Sequence, residues 1–340
     1  MKSGPRIGII GSGAIGGFYG LMLARAGFEV HFLLRSDYSA IVEKGFFLRS
    51  QVYGNFHLEN VNAYRKASDM PTCDWLLIGA KSTSNAELPP LITRVAAPDA
   101  KIIVLQNGLG VEDQLRTMLP ASLHLIGGLC FVATSRTAPG VIEHLAHGDV
   151  NLGYHSGPAA TPDARQAIVE AGIKLFKTAE IKATPEPDLT LARWRKLVVN
   201  IPFNGLSVLL NAGTHQMLRN PESRKLLVDL MREVVNAAAK CGYTLSVALP
   251  NEVFSRLEAM PDDLPSMYFD YVQRRPMELD AIYGAPLVAA LKAGFTMPKV
   301  EVLYQVLRFI EAHNTVSQDS WTHVWNGEIG ASLEEKFRFC

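Results

Sequence analysis

The segment RWRKLVVNIPFNGL sets Lys196, Asn200 and Asn204 four residues apart. If it is helical, that spacing puts three polar groups on one face with modest angular drift. Their neighbours Leu197, Val198, Val199, Ile201 and Phe203 are apolar, so the row crosses a largely buried helix, where an unpartnered amide is costly. Two readings follow. In one, both asparagines serve nearby backbone and Lys196 snorkels to water. In the other, the row faces a cleft and does chemistry. Hydride addition to a ketone leaves negative charge on the carbonyl oxygen, and a lysine ammonium stabilises that charge while donating a proton. On this second reading Lys196 needs no special pKa. Pro202 removes one helical hydrogen bond inside the row, and a kink there would aim Asn204.

Hydride chemistry needs a carrier, and RIGIIGSGAIGGFYGLMLARAG supplies a place for one. Gly11, Gly13 and Gly16 have G-x-G-x-x-G spacing directly after an apolar strand and at the start of an apolar helix. The first glycine permits the tight turn, the second lets backbone approach a pyrophosphate, and the third lets helix pack on strand. The cofactor loop is therefore Gly11, Ser12, Gly13, Ala14, Ile15 and Gly16, with the helix N-terminus facing the phosphates. The bland alternative is an ordinary glycine-rich strand-to-helix turn. After the second strand, FLLRSD carries Arg35 where NAD enzymes usually place an acid. A guanidinium there suits a 2′-phosphate, so NADP(H) is the expected cofactor; the alternative makes Arg35 a solvated arginine and Asp37 the ribose ligand. Two further strand ends should reach the same crevice: Lys81 after WLLIGA and Asn107 after KIIVLQ. Their bland alternatives are a surface lysine and a plain Asn-Gly turn.

The elements that must position these residues fall into two groups. The runs RIGII, EVHFLL, WLLIGA, KIIVLQ and LIGGLCFVA alternate with helical patterns, the rhythm of an α/β Rossmann-type doubly wound sheet. KATPEPD, residues 182–188, has no apolar periodicity and reads as a linker, giving a cofactor domain at 1–184 and a helical substrate domain at 185–340. Beyond it the period is helical in LTLARWRKLVVNIPFNGLSVLL, PESRKLLVDLMREVVNAAAKCG, PNEVFSRLEAM, PMELDAIYGAPLVAALKAG and PKVEVLYQVLRFIEAHN. Pro221, Pro276 and Pro298 should open helices, and Gly242 and Gly294 should close them.

Composition narrows the partners. Lys plus Arg number 33 against 33 for Asp plus Glu, with no basic stripe, which argues against nucleic acid or anionic lipid and for a small molecule. Cys73, Cys130, Cys241 and Cys340 are scattered, with neither a disulfide framework nor a zinc knuckle. His144 and His147 in EHLAH have no third ligand nearby, so no metal is expected. The start, MKSGPRIGIIGSG, enters a strand with no export signal, and no run of about 18 apolar residues follows, so the expectation is a reduced cytoplasmic protein without a membrane span.

With these residues in place, the chain resembles the ketopantoate reductase family over nearly its whole length. The resemblance is carried by GSGAIG, Arg35, GAKS with Lys81, QNG with Asn107, GVIEHLAHG, WRKLVVNIPFN, and Ser266 and Met267 followed by MELD with Glu278. It implies that Lys196 and Glu278 are the catalytic residues, Lys196 as the general acid and Glu278 binding or polarising the substrate through its hydroxyl. It further implies that Asn200, Asn204 and Ser266 hold the substrate while Asn107 positions both nicotinamide and substrate. The implied fold adds an all-α second domain like that of 6-phosphogluconate dehydrogenase relatives. The implied reaction is NADPH-dependent reduction of 2-dehydropantoate, a branched 2-oxo acid, to pantoate, on the way to pantothenate and coenzyme A; a homodimer through the helical lobe is also implied. Without the resemblance, Glu278 reads as a carboxylate in the first helical turn after Pro276, and Ser266 as a helix N-cap. Gly205 stands where the family more often has proline, and GYHSGPAATPDARQ reads as a longer loop. The alternatives are a paralogue acting on another 2-oxo or hydroxy acid, and a non-catalytic NADP(H)-binding redox sensor. Retention of Lys196, Asn200, Asn204, Ser266 and Glu278 together argues against the sensor.

Overall fold

The computed structural model describes residues 4–259, 262 and 264–314. Its first part runs β1 (Arg6–Ile10), α1 (Ala14–Arg25), β2 (Glu29–Leu33), α2 (Tyr38–Lys44), β3 (Phe46–Ser50), β4 (Phe56–Leu58), β5 (Asn62–Tyr64) and β6 (Cys73–Ile78). It continues with α3 (Leu88–Val95), β7 (Ala96–Val104), α4 (Val111–Arg116), β8 (His124–Ala138), β9 (Val141–Ser156), α5 (Pro162–Thr178) and β10 (Ala183–Pro185).

Strands covered on both faces read as near-continuous apolar runs, and the central ones do beyond their first residues, as in residues 7–10, 75–78 and 102–104. In β1, Ile7 and Ile9 join the core formed with α1 and α5, whereas Ile10 joins the core formed with α3 and α4. The same split divides Trp75 and Leu77 from Leu76 and Ile78 in β6. Helices therefore cover both faces, and the order β5-β2-β1-β6-β7-β8 is parallel throughout.

Beyond β8 the sheet is mixed. Strand β9 pairs antiparallel with β8 in a long hairpin, β3 joins β9 in parallel, and β4 closes that edge antiparallel to β3. The hairpin register shifts at several points, so the sheet curls away from the parallel core. The segment 182–188 is not simply a linker: Ala183–Pro185 adds β10 to β9, and Thr184 Oγ1 donates to Asn151 Oδ1 at 2.7 Å. Nor is GYHSGPAATPDARQ one long loop, because its first residues end β9 and its last begin α5, capped by the Thr161 hydroxyl.

The helical part comprises α6 (Leu189–Leu210), α7 (Thr214–Arg219), α8 (Pro221–Lys240), α9 (Leu249–Glu258), α10 (Ser266–Val272), a π turn at Asp280–Gly284, α11 (Ala285–Lys292) and α12 (Pro298–Asn314). Asp188 caps α6, its carboxylate accepting from Leu191 N at 2.8 Å, and Asn211 ends it in the left-handed region. Trp194, Leu197, Val198 and Ile201 of α6 meet Leu227, Leu230, Met231 and Val234 of α8 in the core of this lobe. Pro221 and Pro298 open helices as expected, and Gly242 and Gly294 follow helix ends with φ of 90° and 75°. Pro276 does not open a helix: the chain has no regular structure through Glu278, and helical structure starts at Leu279. Among the described residues no helix is long and apolar enough to cross a membrane.

Trp194 is 1% exposed at the centre of the helical core. Trp194→Ala should lower the unfolding free energy by about 3–5 kcal/mol in urea denaturation. Val247→Ala, at a side chain 90% exposed, should stay within roughly 0.5 kcal/mol of the parent.

Candidate active site

The glycine loop joins β1 to α1 under tight steric limits. Gly11 has φ 89°, and a Cβ there would lie 2.1 Å from the amide nitrogen of Ala80, just beyond β6. A Cβ on Gly16 would lie 2.1 Å from the Gly11 carbonyl oxygen. Gly13, by contrast, has nothing within 4 Å on its open side and precedes α1, whose first N–H groups have no intrahelical acceptor. Beside it the Ser12 hydroxyl is buried with no hydrogen-bond partner among the described residues. An open glycine, an orphaned hydroxyl and a helix N-terminus fit a dinucleotide pyrophosphate. Ala14 and Ile15 form the first turn of α1 and are only partly buried.

Arg35 lies just past β2 with its side chain 81% exposed, 3.6 Å from Glu87 Oε2. Asp37 is in the opposite situation. It is buried, one oxygen accepts from Ser36 Oγ and the Arg136 guanidinium, and the other accepts from Gly140 N at 3.3 Å. The reading of Asp37 as the ribose ligand does not survive this, because its carboxylate is spent on the β8–β9 hairpin.

The segment after β6 reaches across to the helical lobe. The Lys81 ammonium pairs with Asp270 of α10, and Arg275 holds the same carboxylate at 3.0 and 3.1 Å. Lys81 is thus no mere surface lysine. Ser82 donates from both its N–H and its hydroxyl to Glu278 Oε1, each at 2.9 Å. Glu278 is buried and precedes the helical residues, so it is not in a first helical turn; Ser82, not a helix dipole, fixes it.

Asn107 follows β7 at a turn whose Gly108 has φ 102°, and a Cβ there would lie 2.5 Å from Ala281. Leu109 N donates to Ala281 O at 2.9 Å, so this turn is seated against the π turn. Preceding it, Gln106 Nε2 donates to Ala80 O at 2.9 Å and to Asn85 Oδ1 at 2.6 Å, joining the two strand-end loops. Asn107 itself is half-buried, and its turn role and a ligand role are compatible.

Lys196 is half-buried, and its ammonium donates to Cys130 O of β8 at 2.8 Å, 5.4 Å from the Phe131 ring centroid. Burial pushes its pKa down to about 8, with the Arg193 charge acting the same way and Cys130 and Glu278 opposing. The ammonium is thus held on backbone rather than snorkelling to water, as the bland reading had it. Asn204 is buried and its Oδ1 accepts from Met267 N at 3.3 Å, while Asn200, between it and Lys196, is half-buried. Ser266 is the exposed first residue of α10. Pro265 occupies the capping position, with no side-chain cap, so Ser266 is not the N-cap.

Sequence reasoning missed Ser82, Asp270, Arg193 and Glu112. The guanidinium of Arg193 pairs with Glu112 of α4, both side chains buried, and also donates to Gln106 O. Its one available signal was its place one turn before Lys196. His144, weighed earlier as a metal ligand, uses one ring nitrogen on Ser50 Oγ at 2.8 Å and the other on Ala146 O at 3.1 Å. Burial pushes its pKa down, which keeps the ring neutral within the hairpin.

A family model described as ketopantoate reductase PanE/ApbA matches residues 7–157, and one described as ketopantoate reductase PanE/ApbA C terminal matches residues 188–311. The 2-dehydropantoate 2-reductase of Nostoc sp. is 39% identical over 91% of this chain and 96% of its own length. The crystal structure of 2-dehydropantoate 2-reductase from Geobacter metallireducens superposes with a TM-score of 0.83 at 36% identity, covering 89% of this chain and 99% of that one. The ternary structure of D-mandelate dehydrogenase with NADH and anilino(oxo)acetate shares the fold, with a TM-score of 0.81 at 22% identity over 92% of this chain and 100% of that one.

The two glycines separate fold from ligand. Gly11→Ala should lower both the thermal midpoint and dinucleotide affinity, since its Cβ meets backbone. Gly13→Ala should leave the midpoint unchanged yet weaken nicotinamide dinucleotide binding by about tenfold or more, roughly 1.4 kcal/mol, in a fluorescence titration.

Proposed function

We propose, for a chain that belongs to the ketopantoate reductase family and is an oxidoreductase acting on a CH–OH group with a nicotinamide cofactor, that it reduces 2-dehydropantoate to pantoate with NADPH. In this reading residues 1–184 hold the cofactor and residues 185–340 supply the substrate side and the acid. The observation that carries it is the Lys196 ammonium, held on Cys130 O within the field of Glu278. Ser82 links Glu278 to the loop that follows β6.

The dinucleotide, when bound on Gly11 to Gly16, supplies the hydride. The chain's own residues do the rest. The 2-oxo acid lies along α6, with Asn200, Asn204 and Ser266 holding its polar groups and Asn107 aligning it with the nicotinamide end. As the keto carbon is reduced, charge develops on its oxygen, and Lys196 stabilises that oxygen and protonates it. Ser82 takes Glu278 Oε1, which leaves Oε2 to accept from the substrate hydroxyl. Lys81, tied to Asp270, lines the cofactor side of the same cleft. NADPH is preferred because the exposed Arg35 guanidinium, 3.6 Å from Glu87, is placed for a 2′-phosphate, while Asp37, the acid that follows it, is occupied by protein groups.

The scattered thiols, free at Cys73, Cys130 and Cys241, support a reducing cytoplasmic setting. Exposed Val288, Leu291, Val302 and Phe309 on α11 and α12 support a homodimer through the helical lobe.

Purified protein with NADPH and ketopantoate, beside a panel of other 2-oxo acids, tests the reading directly. Lys196→Ala should cost about 10²–10⁴-fold in kcat. Turnover of another acid with none of ketopantoate would move the protein to a different substrate, and binding of NADPH with no turnover at all would remove the catalytic reading.

The direction of the pH dependence follows from the acid's role. Reduction requires protonated Lys196, so kcat should fall as pH rises through about 8, and oxidation of pantoate should rise over the same window. Arg35→Ala should raise the KM for NADPH by roughly 10–100-fold with little change for NADH, the loss of one charge-assisted contact. Equal use of both cofactors by the parent protein would remove Arg35 from the 2′-phosphate.

A further inference from the structure

We infer that Arg193, clamped by Glu112, is a positioning residue that fixes Lys196 of α6 relative to the Asn107 turn. This rests on the proposed role of Lys196 as proton donor.

Arg193 precedes Lys196 by three residues on α6, so both side chains leave the same face of the helix. Its side chain is 2% exposed and that of Glu112 is 4% exposed. One guanidinium nitrogen meets Glu112 Oε1 in the first turn of α4, and the other donates to the carbonyl of Gln106, the residue before Asn107. A single planar group thereby joins α6, α4 and the end of β7. The frame extends further, because the Gln106 side chain holds Ala80 O and Asn85 on the loop that carries Lys81 and Ser82.

The pair is not explained by stability alone. Replacing a buried ion pair with well-packed apolar residues is often neutral or stabilising, so retention points to a geometric or electrostatic task. Space has been made for it: a Cβ on Gly127 of β8 would lie 2.5 Å from Glu112 Oε1. A guanidinium fork, unlike an ammonium, makes both contacts with fixed geometry.

The groups facing Lys196 are the carbonyl and thiol of Cys130 and the Phe131 ring from β8, Glu278 from the connection before the π turn, and Arg193 from its own helix. Burial is the first cause of its lowered pKa, and the Arg193 charge works in the same direction. Arg193 therefore acts on the acid twice, by placing it and by keeping it ready to release its proton.

The experiment compares the parent with R193M/E112L, which removes both charges together, and with R193K, which keeps the charge but loses the fork. Acetylation of Lys196 by acetic anhydride is followed against pH by mass spectrometry, alongside kcat and KM for ketopantoate and NADPH. In R193M/E112L the Lys196 midpoint should move up toward the ordinary lysine range, and kcat should fall about 10–100-fold with KM little changed, the scale of a misplaced catalytic group. R193K should keep the parent's midpoint while kcat falls. A folded double variant with unchanged midpoint and kcat would overturn the inference; should that variant not fold, R193K with full kcat would do so. If the parent does not reduce ketopantoate, the proposed substrate is lost, while the acetylation midpoints still decide whether Arg193 sets the state of Lys196.

Discussion

The structure turns on one ammonium group held where water is scarce. In the role proposed for it, Lys196 stays protonated enough to donate yet buried enough to lose its proton readily, and those demands pull its environment in opposite directions. Burial disfavours the charged form, while a 2.8 Å bond to Cys130 O and the field of Glu278 favour it. The balance needs α6 to be rigid and correctly seated. Its fully buried residues Leu197, Val198 and Ile201 provide that on one side, and Arg193 with Glu112 on the other.

Seating α6 also means joining two lobes whose cores are separate. Besides the bonds of Arg193 and Lys196 and the apolar contact of Leu129 with Leu189 and Ala192, three polar joints cross between them: Lys81 to Asp270, Ser82 to Glu278, and Leu109 N to Ala281 O. Each begins at a loop following a strand of the parallel sheet, where ligands of such sheets bind. These bonds exchange with water at modest net energy. Opening for substrate and product then becomes compatible with a fixed geometry when closed.

Those joints were also the least legible part of the sequence. The strand at Arg6–Ile10, the glycine loop and the whole of α6 announce themselves by local pattern, because continuous apolar runs, fixed glycine spacing and a helical period are written within a few residues. Strands β3, β4 and β5 are three to five residues long and carry little pattern. In β9 the alternation is present but disguised, since one of its inward positions is His144, packed against Phe18 with ring centroids 4.4 Å apart. Asp270 and Arg193 look like ordinary charged residues on amphipathic helices. Their partners lie 189 and 81 residues away, and no local rule reports a contact of that kind. Asp37 shows the converse case, an acid near the expected spacing whose real partners, Arg136 and Gly140, come from a hairpin that pattern alone did not reveal.

Gly205 illustrates how a departure from family pattern should be weighed. It falls one residue after Asn204, so a change of substrate pocket is the first thought. The packing gives another reason: a Cβ at 205 would lie 2.6 Å from Tyr283 Oη and 2.8 Å from Leu303. Glycine lets the π turn approach α6 until the Tyr283 hydroxyl donates to Ile201 O at 2.8 Å. A proline there would lack the N–H that Ile201 O receives in a regular helix, and Pro202 already withholds one from Val198 O. The glycine thus belongs to the seating of the π turn, which also carries Ala281 against the Asn107 turn.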